Sequence, residues 1–98
     1  MKHYVMMMYD AGNNPAGYFT FFTRTERFVV FFSNMKTLQD LLVFANEHAK
    51  MQRLRIECIQ LDAAHTPRLM DKLREENPPI RAIMDTDPIF DRLRRSLV

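Results

Sequence analysis

The chain has 98 residues, one domain's worth, and a split would leave neither half a core, so residues 1–98 are read as a single domain. Its 47% hydrophobic content excludes disorder, and 14 Lys and Arg against 12 Asp and Glu leave a net charge of only +2, too little for a general nucleic-acid footprint. No apolar run approaches the roughly 18 residues of a membrane span, and the charged, apolar and small-residue regions of a signal peptide are missing, so a soluble, cytoplasmic protein without a membrane partner is expected. A single cysteine, Cys58, can form neither an internal disulfide nor a cysteine metal cluster.

Nine of the eleven aromatic residues precede residue 33. Tyr4–Tyr9 is an apolar strand that stops at the loop Asp10-Ala-Gly-Asn-Asn-Pro-Ala-Gly17. Tyr18–Thr23 and Arg27–Phe32 are rich in aromatic and β-branched residues, and the polar Thr23-Arg24-Thr25-Glu26 that joins them suits a four-residue hairpin. An antiparallel meander of three strands follows. Its strands barely alternate, so both faces must be covered, by helices or by a second copy of the chain.

From Leu38 the period becomes helical, with Leu41, Leu42, Ala45 and Ala49 on one face and Asn34 or Thr37 as the cap. Leu54–Leu61 reads as a fourth strand, reached by a crossover and therefore parallel to the third. Thr66-Pro67 predicts the cap and first position of a second helix running to about Glu76, and Ile80–Met84 a short fifth strand. Asp87-Pro88 repeats the device before a last helix lined by Ile89, Phe90, Leu93 and Leu97, with Arg92, Arg94 and Arg95 on its solvated side. The fold class is α/β: a three-stranded antiparallel meander followed by α-β-α-β-α, a mixed sheet packed with helices.

Chemistry is sparse. His3, His48 and His65 are isolated, and no two share a helix at ligand spacing. Cys58 reads as a small core residue, and neither glycine belongs to a phosphate-binding loop. Four carboxylates, Asp10 after strand one, Asp40 in helix one, Asp62 after strand four and Asp91 in the last helix, could converge at one end of the sheet. The element order, the turn Tyr9-Asp10-Ala11-Gly12-Asn13-Asn14-Pro15-Ala16-Gly17 and Asp40-Leu41-Leu42 resemble the ribonuclease H-like family. That resemblance implies Mg²⁺ ions held by Asp10, Asp40, Asp62 and Asp91, phosphodiester hydrolysis and a nucleic-acid partner. Helical geometry sets Asp40 about 140° from the centre of the apolar arc, which directs it towards solvent. A fainter resemblance to the sulfate-transporter and anti-sigma-antagonist domains, in which a helix-starting Ser or Thr is phosphorylated, implies such a role for Thr66.

The expected function is a small non-enzymatic binding or regulatory protein that needs no cofactor and acts through a protein partner as a homodimer. Met6, Met8, Phe19, Phe21, Phe28 and Phe31 are its expected interface. The alternative is the divalent-metal nuclease.

Overall fold

In the computed structural model, which describes residues 1–97, the chain forms β1 (Lys2–Tyr9), β2 (Pro15–Tyr18), β3 (Phe21–Phe22), β4 (Arg27–Phe31) and α1 (Met35–Met51). β5 (Arg55–Asp62), a 3-10 turn (Ala63–His65), α2 (Thr66–Arg74), β6 (Arg81–Met84) and α3 (Pro88–Ser96) complete it. This is the expected α/β order. The second strand of the meander is divided: β2 pairs with β1, and after Phe19-Thr20 the chain leaves β1 so that β3 pairs with β4. Two three-stranded sheets result, β2-β1-β5 and β3-β4-β6. They meet at one antiparallel bridge, where Tyr4 N donates to Phe32 O (2.8 Å) and Phe32 N to Tyr4 O (2.7 Å).

The partner of β5 differs from the sequence expectation. β5 runs antiparallel to β1, from Lys2 opposite Asp62 to Tyr9 opposite Arg55, while the parallel neighbour of β4 is β6, with Phe28 opposite Arg81 and Phe31 opposite Met84. Burial explains the choice. β4 is apolar on both faces and lies inside its sheet beside Ala82 and Ile83, also buried, whereas β5 mixes half-buried Ile56, Ile59 and Leu61 with exposed polar residues. A parallel neighbour suits a strand covered on both sides, and a half-polar strand suits an edge.

Helix starts are set by side-chain caps. Asn34 Oδ1 accepts from Lys36 N (2.9 Å) and Thr37 N (3.3 Å), and Asp87 Oδ1 accepts from Ile89 N (2.9 Å) ahead of Pro88. Asp85 receives Ser33 N (2.9 Å), Asn34 N (3.0 Å) and Ser33 Oγ (2.7 Å), which ties the start of α1 to the end of β6. Thr66 is not a cap. The 3-10 turn runs directly into α2, so Thr66 already has helical angles (φ −58°, ψ −47°), and its buried hydroxyl bonds His3 Nδ1 at 2.7 Å instead. The cap lies a turn earlier, where Asp62 Oδ1 accepts from Ala64 N (3.4 Å).

Alternation along β1 and β4 sorts the core into two clusters. Met6, Phe28, Val30 and Phe32, joined by Phe19 and Phe21, face Leu38, Leu41 and Ala45 of α1 and Phe90 and Leu93 of α3. Val5, Val29, Phe31 and Ala82 face Leu73 of α2, with Leu69 and Met70 beside it. Helices of the same chain therefore cover both faces, α1 and α3 on one and α2 on the other. The expected interface is corrected by this arrangement: Met6, Phe19, Phe21, Phe28 and Phe31 are between 0 and 6% exposed, and Met8 packs half-buried against the first cluster.

Candidate functional site

The β1–β5 register decides the fate of the four carboxylates. Asp62 sits opposite Lys2, while Asp10 follows Tyr9 at the other end of the same ladder, a separation of roughly 25 Å along eight residues of strand. Asp40 and Asp91 are exposed on α1 and α3. Asp10, Asp40, Asp62 and Asp91 are thus not brought to one place, and among the described residues no group of His, Cys, Asp and Glu is arranged to hold a metal ion. Two of the four have local structural work. Asp10 Oδ1 accepts from Gly12 N and Asn14 N, each at 2.9 Å, closing the turn after β1. The backbone N–H of Asn14, then that of Gly12, holds the Asp10 carboxyl below the usual aspartate range. Asp62 is lowered first by the Ala64 N–H that it caps, with Lys2 adding to the effect.

The remaining reactive groups are dispersed. His48 Nδ1 lies 3.0 Å from the Phe44 carbonyl, and its ring lies tilted against Phe44 with centroids 4.1 Å apart, a helix-surface contact. Thr66, buried against His3, is not presented to solvent as a phosphorylation target must be. Cys58 is exposed rather than in the core, and partial burial pushes its thiol up, away from the reactive thiolate.

What the fold does present is an open sheet edge. β5 is eight residues long, contains no proline or lysine, and among the described residues pairs only with β1, so its outer row of N–H and C=O groups is free. Natural edges are blunted by inward charges, prolines or bulges. Here the charges are drawn elsewhere. Arg55 lies over the Tyr9 ring (4.9 Å) and donates to Asn13 Oδ1 (2.6 Å) and Glu57 Oε1 (2.7 Å), which holds both ions towards β1 and the loop after it. Asp62 is taken up in its cap. Ile56 and Cys58 lie on one face of the strand and Ile59 and Leu61 on the other, the three aliphatic side chains half-buried against the two core clusters and Cys58 exposed. Sequence reasoning missed this surface because it paired Leu54–Leu61 with the third strand and read Cys58 as a core residue; Arg55, Glu57, Gln60 and Asp62 are the signal that the strand is an edge.

The fold and this edge define a small α/β domain with one open strand edge at β5. No family model, no curated protein and no solved structure matches the chain.

Proposed function

We propose that the protein is a small binding or regulatory protein that acts through a protein partner by strand addition at β5, with a second copy of itself as that partner. The observation that carries this reading is the free, eight-residue, proline-free edge of β5. Main-chain hydrogen bonds supply affinity in strand addition, and side chains at alternate positions supply selectivity. A closed twofold dimer is the commonest homo-oligomer, and antiparallel self-pairing of an edge strand satisfies it. The symmetry also restricts the register. With the axis perpendicular to the sheet, paired residues must point to the same face, so each pair is separated by an even number along the strand. An axis at Cys58 places Cys58 opposite its own copy, Glu57 opposite Ile59 and Ile56 opposite Gln60.

Light scattering across micromolar concentrations tests the reading. The wild-type mass should rise from monomer to dimer with concentration, and Cys58→Lys, which sets two ammonium groups face to face at the axis, should hold the protein monomeric. A strictly monomeric wild type at every concentration would overturn self-association through β5.

A further inference from the structure

On the other sheet, away from β5, a groove of about 470 Å³ opens between the β3–β4 turn, the Pro78-Pro79 segment and β6. Its volume falls within the ~300–1,000 Å³ of small-molecule sites. The turn that forms one wall is fixed by Thr23 N donating to Glu26 O (2.9 Å) and Glu26 N donating to Thr23 Oγ1 (3.2 Å), which puts Arg24 at its tip. Phe22 and Arg27 are paired residues of β3 and β4, so both side chains leave the same face with their Cβ atoms about 5 Å apart.

Charge and exposure in this groove are unlike those of the rest of the chain. Its lining holds three arginines, Arg24, Arg27 and Arg81, against one carboxylate, Glu26, whereas the whole sequence is near balance at 14 to 12. Glu26 is taken by Arg81 at 2.6 Å. Arg27 donates to the Pro78 carbonyl, a neutral acceptor, and its buried Nε has no hydrogen-bond partner, so among the described residues neither Arg24 nor Arg27 is paired with a carboxylate. Arg92 of α3 adds a further cation in the depression beyond the Arg81–Glu26 pair, with the hydroxyls of Thr23, Thr25 and Ser96. Phe22 is 63% exposed although every other phenylalanine of the β-strands is buried. An aromatic ring left in water beside unpaired guanidinium groups is a platform for a flat ring that carries an anion.

We propose that this groove binds a small aromatic phosphate of the nucleoside monophosphate class, the ring stacked on Phe22 and against the prolines, the phosphate received by the Arg24 guanidinium in the field of Arg27. This site is independent of β5 and of any dimer. Both halves of the ligand are required: stacking alone leaves the arginines unpaired, and charge alone leaves Phe22 in water.

The experiment is an NMR titration of the full chain, following backbone amides, with adenosine 5′-monophosphate, adenosine and inorganic phosphate as separate probes. The monophosphate should shift the amides of residues 22–27 and 81 and bind about tenfold or more tightly than either other probe, the size that one charged hydrogen bond supplies. Phe22→Ala and Arg24→Ala should each weaken it by about tenfold, while Arg68→Ala, an equal charge change outside the groove, leaves it unchanged. The proposal is overturned if the monophosphate causes no shifts there, if it binds no better than inorganic phosphate, or if Arg24→Ala and Arg68→Ala behave alike, which would mean a diffuse surface charge.

Discussion

At the scale of single residues, the His3–Thr66 pair and the aspartate caps show how short polar side chains fix the chain. Thr66→Val keeps the shape but removes the hydroxyl that meets His3 Nδ1 inside the fold, so stability should fall by about 1 kcal/mol, read as a lower urea midpoint. Thr66→Ser, which keeps the oxygen, should lose less. Asp87→Ala removes the α3 cap and should cost about 1 kcal/mol by the same measurement. Asp10 adds a dependence on pH. Its carboxyl is held low in the folded chain by N–H groups of its own turn, so the stabilisation is complete above the unfolded aspartate pKa of about 3.9 and disappears as pH falls through the lower folded value. Asp10→Asn should therefore be less stable than wild type at neutral pH, and the gap should narrow as the pH falls; a gap that stayed constant into acid would contradict the linkage.

At the scale of elements, the sequence was most legible where one local rule governs. The cap-and-proline pair Asp87-Pro88, the four-residue turn Thr23–Glu26 and the apolar stripe of α1 all depend on neighbours within a few positions, and all appear where the pattern predicts. The partner of β5 depends instead on which of two strands, β1 or β4, far apart in sequence, offers the better-matched edge, and no local pattern encodes that comparison. Thr66 departs from its sequence expectation for a related reason. Thr-Pro has the composition of a helix start, but Asp62 had already begun the turn, and a cap is defined by backbone angles that composition does not record. The β5 edge makes its own prediction. Two Cys58 residues opposite one another across a twofold axis have Cα atoms about 4.5–5.5 Å apart, within disulfide reach. Oxidation of the wild-type protein should yield a covalent dimer, faster at alkaline pH because burial raises the thiol, and Cys58→Ser should abolish it.

For the whole molecule, the excess of aromatic residues in the sequence suggests a face left for a second subunit. Three helices are sufficient because they are divided between the faces, α1 and α3 over the wider, phenylalanine-rich cluster and α2 over the smaller one around Phe31. The carboxylates are separated at this scale too: Asp10 and Asp62 each sit at a strand end, as predicted, but antiparallel pairing sends those ends apart. Stability should be concentrated accordingly. Phe90, buried and edge-on to Phe32 at 6.0 Å, should cost about 3–5 kcal/mol on replacement by Ala, a large share of a typical total of ~5–15 kcal/mol. Phe22→Ala, at an exposed ring, should shift the denaturation midpoint little, so any loss of binding there can be read separately from folding.

The bridge between Tyr4 and Phe32 bears on how the molecule opens. Two backbone hydrogen bonds are a weak seam between the sheets, yet Met6, Phe19, Phe21, Phe28 and Phe32 on either side of it belong to one apolar cluster. Parting the sheets would expose that cluster, so neither sheet can detach as an independent unit. The amide protons of Tyr4 and Phe32 should then exchange with deuterium only in the opening that also frees Val30, and the three should show the same opening free energy.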